Sequence, residues 1–181
     1  EQLICINAET GEQRWSKYIG KIGNAPVIQS DENSIVISTG YQMNIYDMNK
    51  DSFNKPLQLP GKAFNFTISG DYIYAATWNG FLLKISRNTN SIVWSRKVYS
   101  MPFHVVKLNR TLQLCNLDGE LTRLNDDNGL TIDNTTNKIQ VNITAMEGID
   151  STLVLVSSTN KLFLQNTKRK DFSPTQVLME Y

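Results

Sequence analysis

The sequence has few of the residues from which most active sites are built. Its 181 residues include two cysteines, Cys5 and Cys115, and one histidine, His104. The cysteines lie far apart and have no CxxC partner, so they predict buried thiols and neither a disulfide nor a metal site. A lone histidine without a G-x-S-x-G elbow gives no support for a Ser-His-Asp arrangement. We therefore predict no catalytic residue, no metal site and no cofactor, with His104 structural or at the surface.

Strong net charge and long apolar runs are also missing. The chain has 18 basic and 17 acidic residues, a net charge of +1, so it carries no electrostatic footprint for nucleic acid or an anionic membrane. No apolar run approaches the roughly twenty residues that a membrane-spanning helix needs. The chain starts without Met and shows no secretory leader, from which we expect a mature form or a piece of a longer protein.

The acidic stretch from Asn125 to Gly129 resembles part of a calcium-binding loop, but its spacing does not fit one. In the run from Asn125 to Gly129, an EF-hand loop counted back from the glycine would place Thr135 where the bidentate glutamate belongs. An Asx-type turn is the simpler prediction for this run. No glycine-rich phosphate loop is present, because the ten glycines fall singly at turns.

Short apolar runs broken by polar turns take the place of helical periodicity. No window sustains apolar spacing of 3.6 residues, whereas β-branched and aromatic residues fill runs such as 72–76 and 81–86. The pairs Asn79-Gly80 and Asp118-Gly119 supply the positive φ that tight hairpins need. The pattern predicts an all-β protein with almost no helix.

These runs follow a period of about forty residues. The segment from Asn7 to Trp15 returns at 86–94 and 125–133, with weaker copies at Asp47 and near Gln165. The steps between these anchors are 40, 39, 39 and 40 residues. Repeats of this length with four strands each are typical of β-propeller blades.

The strand count predicts a β-propeller of about four four-stranded blades plus two strands of another. We expect one partial propeller domain over 1–181, with blades at 1–22 (half), 23–60, 61–100, 101–139 and 140–181. In the fourth of these the predicted strands are 103–107, 112–116, 120–124 and 131–134. Eighteen strands do not make a whole number of blades, so we expect part of a larger ring, completed by missing blades or by another chain.

The repeat resembles the D-x-x-T-G-x-x-x-W pattern of quinoprotein-like (PQQ-like) propeller repeats. Asn7 stands in for the aspartate, and Trp15 matches the tryptophan. The resemblance implies that the polar residues turn the strands and that the tryptophan packs between blades. The residues that carry it are Asn7, Thr10, Gly11, Trp15, Thr89, Trp94, Asn125 and Gly129.

The resemblance implies a scaffold and leaves its activity open. Some members of the family are dehydrogenases that hold pyrroloquinoline quinone and calcium, and others are cofactor-free binding platforms or lumenal sensors. We favour a non-enzymatic scaffold for a protein or peptide partner. The alternatives are a fragment of a quinone- and calcium-dependent dehydrogenase, and a sensor ectodomain that forms a homo-oligomer through open blade edges. The family slightly favours an extracytoplasmic location.

Loops on a rigid scaffold are where binding usually takes place. The turns 40–42, 77–80, 117–119 and 157–160 occupy equivalent places in the repeats, so we expect them on one rim. Tyr41, Trp78 and Phe103 are the candidate aromatic residues of a binding rim, with core packing as the alternative for each.

Overall fold

The computed structural model describes residues 2–19, 27–132, 137–139, 141–168 and 175–177. Within these ranges the chain forms nineteen β-strands and no helix. A helix able to cross a membrane is accordingly not found in the described ranges. The prediction of an all-β protein is confirmed.

The strands form five antiparallel sheets, each built from consecutive strands of the chain. The first sheet contains β1 (Gln2–Ile6) and β2 (Gln13–Tyr18). The second contains β3 (Val27–Ser30), β4 (Ser34–Thr39), β5 (Gln42–Asp47), β6 (Ser52–Phe53) and β7 (Leu57–Gln58). The third contains β8 (Ala63–Ser69), β9 (Tyr72–Thr77), β10 (Phe81–Ser86) and β11 (Ser91–Lys97). The fourth contains β12 (Phe103–Leu108), β13 (Thr111–Asn116), β14 (Glu120–Asn125) and β15 (Asn137–Lys138). The fifth contains β16 (Ile143–Ile149), β17 (Thr152–Ser157), β18 (Leu162–Asn166) and β19 (Thr175–Val177).

Two outer strands depart from the regular pattern. In the second sheet the outer strand is divided into β6 and β7, which both pair with β5. Pro56 lies in the interruption and has no N–H to donate to the ladder. In the fourth sheet the predicted strand 131–134 is wrong for its two described residues, because Thr131 makes an isolated bridge to Leu124, Ile132 belongs to no strand, and the outer strand is β15. Asp133 and Asn134 lie outside the described residues.

The sheets stack in chain order, with the first strand of each large sheet on the inside. Strand β8 contacts both β3 and β12, and β12 also contacts β16. Separate apolar clusters fill the three interfaces between the four large sheets; Phe66, Leu114 and Leu155 are among their fully buried members. Because each interior sheet has an apolar face on both sides, neighbouring sheets stabilise one another, as in other repeat architectures.

The outer faces of the two end sheets carry exposed apolar side chains. Ile4 and Ile6 of the first sheet are 52% and 60% exposed, and Ile149 of the fifth sheet is 59% exposed. Both end sheets thus present exposed apolar side chains on the face that has no neighbouring sheet among the described residues.

Each repeat anchor caps its own turn. The side-chain oxygen of the anchor accepts a hydrogen bond from a backbone N–H two or three residues later, which forms an Asx turn or its serine equivalent. The donors and acceptors are Glu9 N to Asn7 Oδ1, Asn49 N to Asp47 Oδ1, Thr89 N to Ser86 Oγ, Asp127 N to Asn125 Oδ1 and Lys168 N to Asn166 Oδ1. The fifth anchor is therefore Asn166, and its placement at Gln165 is corrected.

Both repeat tryptophans contact the next sheet. The Trp15 ring lies 5.3 Å from the ring of Tyr46 in the second sheet. Trp94 lies against Gly129 of the fourth sheet, where an added Cβ would come within 3.0 Å of the indole. Gly129 also has a φ of +69°. Glycine at this turn therefore satisfies the backbone conformation and leaves room for the indole.

Gly80 and Gly40 make a matched pair for a stability test. Both have positive φ, +79° and +73°, but a Cβ on Gly80 would lie 1.9 Å from the carbonyl oxygen of Tyr99, whereas Gly40 faces open space. We expect Gly40→Ala to lower the free energy of unfolding by about 1–2 kcal/mol, the cost of left-handed backbone. Gly80→Ala adds an overpacking cost of about 1–3 kcal/mol. Urea unfolding of both variants measures the difference, and equal losses would contradict the close approach.

Candidate binding surface

The four equivalent turns are fixed to one end of the sheet stack by backbone hydrogen bonds to the links between sheets. We call this end the rim face and the other end the opposite face. The bonds run from Ala63 N to Gly40 O (3.1 Å), Trp78 N to Lys62 O (2.8 Å), Val98 N to Gly80 O (3.0 Å), Ile143 N to Leu117 O (3.3 Å) and Ser158 N to Asn142 O (2.8 Å). Turn 77–80 is held in this way at two backbone positions, and each of the other three turns at one or more.

Two contacting pairs of side chains on the rim face together make up what we call the aromatic rim: Tyr41 with Lys62, and Phe64 with Trp78. Tyr41 is 53% exposed and Trp78 is 55% exposed. The Lys62 ammonium lies 5.8 Å from the centre of the Tyr41 ring. Phe64 meets Trp78 edge to face, with ring centres 5.1 Å apart. These contacts orient both exposed rings in the absence of a partner.

The loop that contains Leu59 and Pro60 fixes the backbone of the turns that carry Tyr41 and Trp78. Leu59 N donates to the carbonyl oxygen of Tyr41 at 2.8 Å. The Asn79 amide donates to the Pro60 carbonyl at 3.4 Å, and its oxygen accepts from the Thr77 hydroxyl at 2.6 Å. Such a platform loses little conformational entropy when a partner binds.

His104 lies under the aromatic rim at the start of β12. It is buried, and its ring centre is 5.3 Å from that of Phe64. Burial lowers the pKa of His104, and a hydrogen bond with the backbone of Ile143 offsets this only in part. The imidazole is therefore neutral near pH 7 and supports the Phe64 ring.

Phe103 does not belong to the binding rim, and its candidate role there is corrected. Its side chain is fully buried, 5.2 Å from the Tyr99 ring, in the cluster between the third and fourth sheets. The reason is strand alternation, because Phe103 and Val105 occupy the same inward face of β12.

Phe64 is the rim residue that sequence reasoning missed. The pairing of β8 with β9 shifts between Ala63 and Asn65, which leaves Phe64 as the extra residue of a bulge. A bulge re-aims the side chain that it carries. Simple alternation along the strand could not reveal this orientation.

The structural repeat residues lie on the opposite face or in the stack. Exposed turns contain Thr10, whose hydroxyl accepts from Glu12 N at 3.3 Å, and Gly11, with a φ of +73°. Thr89 is exposed in the equivalent turn of the third sheet. The turn residues of the family resemblance and the aromatic rim are therefore at opposite ends of the sheet stack, and Trp15 and Trp94 lie within it.

A buried polar group, which we call the Asp126 cluster, joins the third and fourth sheets. Lys107 Nζ lies 2.6 Å from one Asp126 carboxylate oxygen, and Lys84 Nζ lies 3.3 Å from the other. The Tyr74 hydroxyl donates to the same carboxylate. Burial raises the pKa of Asp126, but the bonds from Lys107 and Tyr74 outweigh it and the net pKa is lowered. The carboxylate is therefore ionised, and each of its oxygens is paired with a lysine.

The described residues contain no group of three or more His, Cys, Asp or Glu side chains placed to hold a metal ion. In the stretch from Asn125 to Gly129, Asn125 caps the turn and Asp126 pairs with two lysines. This arrangement gives each of these two side chains a structural role.

Comparison with known proteins identifies the fold. No family model matches the chain, and no curated protein does. The computationally designed Ika8 protein superposes with a TM-score of 0.75 at 11% identity, over 92% of this chain and 52% of Ika8. The designed Ika4 protein gives a TM-score of 0.71 at 10% identity, over 82% of this chain and 95% of Ika4. BamB from Moraxella catarrhalis gives 0.72 at 14% identity, over 90% of this chain and 52% of BamB.

These identities are low enough that the likeness concerns the fold alone. The chain spans about half the length of Ika8 and of BamB. BamB is a β-propeller of PQQ-like repeats. Together with the sheets described above, this confirms the predicted architecture: the chain has the fold of a partial β-propeller, with two strands of one blade followed by four larger sheets.

Proposed function

We propose that this chain is a non-enzymatic β-propeller scaffold of the PQQ-like repeat type that binds a protein or peptide partner through the aromatic rim. The observation that carries the proposal is the pair of half-exposed rings, Tyr41 and Trp78, on a platform fixed by backbone hydrogen bonds. Fold alone does not imply function, so the proposal rests on this surface.

The chemistry of the aromatic rim suits a protein partner. Tyrosine and tryptophan are enriched among the residues that dominate binding energy at interfaces. Each ring offers a large apolar face together with one hydrogen-bond donor. The exposed polar residues Gln42 and Asn79 directly follow the two rings in the chain and could supply the polar border that surrounds the core of an interface.

Short random peptides displayed on phage provide a direct test. Peptides selected on the wild-type chain are synthesised, labelled with fluorescein and titrated by anisotropy. We expect Trp78→Ala and Tyr41→Ala each to weaken binding by at least ~10-fold, as hot-spot truncations do. Val93→Ala is the matched control, because Val93 is an exposed apolar residue of similar accessibility, 52%, on the outer strand β11. Bound peptide should also shift the Trp78 fluorescence to shorter wavelength.

Two results would contradict this proposal. The first is a set of selected peptides whose affinity does not depend on Trp78 or Tyr41. The second is calcium-dependent binding of pyrroloquinoline quinone, visible as quinone absorbance in the purified protein, which would favour the dehydrogenase alternative.

A further inference from the structure

The two faces of the sheet stack carry opposite charge. Counted over the connections and the adjoining strand ends of the described residues, the rim face has four lysines and two carboxylates, and the opposite face has ten carboxylates and four basic side chains. The rim-face charges are Lys62, Lys97, Lys138, Lys161, Asp118 and Glu120. The carboxylates of the opposite face are Glu9, Glu12, Asp31, Glu32, Asp47, Asp51, Asp71, Asp126, Asp127 and Asp150, and its basic residues are Lys50, Arg87, Arg110 and Lys168. Strand lysines neutralise two of these carboxylates: Lys84 and Lys107 pair with the buried Asp126, and Lys17 pairs with Asp51. The net charge of the whole chain, +1, does not reveal this separation because it is a sum over both faces and the strands between them.

Two of the rim-face lysines are adjacent to the exposed rings. Lys62 is part of the aromatic rim and lies over Tyr41. Lys97 donates to the carbonyl oxygen of Asn79, the residue after Trp78, and its ammonium lies 5.0 Å from the Phe81 ring. Both lysines are exposed. One ammonium group therefore contacts the Tyr41 ring, and the other lies at the residue that follows Trp78.

These lysines also differ from basic residues of the opposite face in their partners. Among the described residues, neither Lys62 nor Lys97 forms an ion pair with a carboxylate. On the opposite face, Lys50 pairs with Asp47 at 2.8 Å, and Arg87 pairs with Asp31 at 2.6 Å. The positive charge beside the aromatic rim is thus not neutralised within the described part of the chain.

We propose that the partner of the aromatic rim is an acidic peptide segment that also carries an aromatic or large apolar side chain. This inference rests on the proposed function. The apolar side chain packs on Trp78 and Tyr41, while carboxylates on either side meet Lys62 and Lys97. Charge complementarity of this kind raises association rates and selects among partners. The acidic opposite face repels the same segment, so binding is confined to the rim face.

A protein segment fits this surface better than nucleic acid does. Binding to a phosphate backbone gains its affinity from many neutralised phosphates, whereas only two of the described rim-face lysines, Lys62 and Lys97, lie beside the exposed rings and two carboxylates share the same face. A peptide with a few carboxylates around one apolar side chain matches this small number of positive charges beside the exposed rings. A single-stranded DNA oligonucleotide therefore serves as the competing probe.

The phage-selected peptides test this inference through paired charge reversals. We expect the selected sequences to be net negative. The double variant Lys62→Glu, Lys97→Glu should raise their Kd about 10-fold at ~0.05 M salt, and the effect should fall to about 2-fold at ~0.5 M salt, where exposed charges are screened. Lys50→Glu with Arg110→Glu is the control, because it changes the net charge equally on the opposite face, and its effect should stay below about 2-fold.

The outcomes separate this inference from the proposed function. Trp78-dependent peptides that are neutral or basic, or that ignore the lysine reversal, would overturn the acidic partner and leave the binding scaffold standing. An absence of Trp78-dependent peptides would overturn both. Lysine-dependent binding of the oligonucleotide, without such peptides, would identify the rim face as a nucleic-acid surface and also overturn the inference.

Discussion

Asp126→Asn is expected to lower the free energy of unfolding by about 3–5 kcal/mol, because it leaves two buried ammonium groups without their counter-ion. The side chain of Asp126 is 12% exposed, and those of Lys84 and Lys107 are 8% and 18% exposed. The substitution keeps the size of the side chain, so the loss reports charge and not volume. Urea unfolding followed by tryptophan fluorescence measures it.

The neighbouring Asp127 supplies the control for this variant. Asp127 is exposed in the same turn and forms no ion pair with a described residue, so Asp127→Asn should change stability by less than about 0.5 kcal/mol. Adding Lys107→Met to Asp126→Asn removes one of the two unbalanced charges and should recover part of the loss. A loss below about 1 kcal/mol for Asp126→Asn, or no recovery in the double variant, would contradict the assignment of a buried ion cluster.

The same cluster predicts the pH range of stability. Because the pKa of Asp126 is lower in the folded chain, its contribution is present above the ordinary carboxyl range and is lost as the pH falls through the folded pKa. The pKa of Tyr74 is raised, first by burial and then by its bond to Asp126, so the contribution of Tyr74 is fully present below about pH 10 and is lost as the pH rises from there through the raised pKa. Asp126→Asn should flatten the acid limb of the stability profile.

The repeat in the sequence predicts most of the fold because strands and hairpins depend on residues that are close in sequence and recur in every blade. Alternating apolar residues mark the strands, and turn residues mark the hairpins; strand β10 occupies 81–86, as the pattern predicts. The anchors follow from a capping bond within a few residues of sequence, which is why Asn7 and Asn125 are recognisable. The repeat pattern does not predict local departures from a regular blade, such as the outer strand of the second sheet that is divided around Pro56.

The candidate surface is less accessible to sequence reasoning because it depends on contacts between repeats. Trp78 is exposed and Phe103 is buried, although both lie at strand ends next to turns. Phe64 contacts Trp78 because a bulge in β8 turns its side chain toward the rim face. Lys62 contacts Tyr41 because the link between the second and third sheets passes beside the turn 40–42. The charge separation between faces is likewise a property of topology, since antiparallel strands send alternate turns to opposite ends.

Phe103→Ala is expected to lower mainly stability, whereas Trp78→Ala is expected to lower mainly binding. Phe103 is fully buried, so its truncation should lower the free energy of unfolding by about 3–5 kcal/mol. Trp78 loses mainly its edge-to-face contact with Phe64, so its truncation should cost about 1 kcal/mol. Urea unfolding gives the stability of both variants, and anisotropy with the selected peptides gives their affinity under conditions where each is folded.

Phe103→Leu completes the comparison because it keeps an apolar side chain in the interface between the third and fourth sheets. Its smaller volume should cost roughly 1–2 kcal/mol, less than the full truncation, and the folded variant should bind the peptides as the wild type does. Trp78→Ala should remain folded and lose binding. If Phe103→Leu weakened binding while the protein stayed folded, Phe103 would act on the surface after all, and the division between a core that joins the sheets and a rim that meets the partner would be wrong. That division follows from burial: the ring that the stack covers stabilises the scaffold, and the ring it leaves exposed is free to bind.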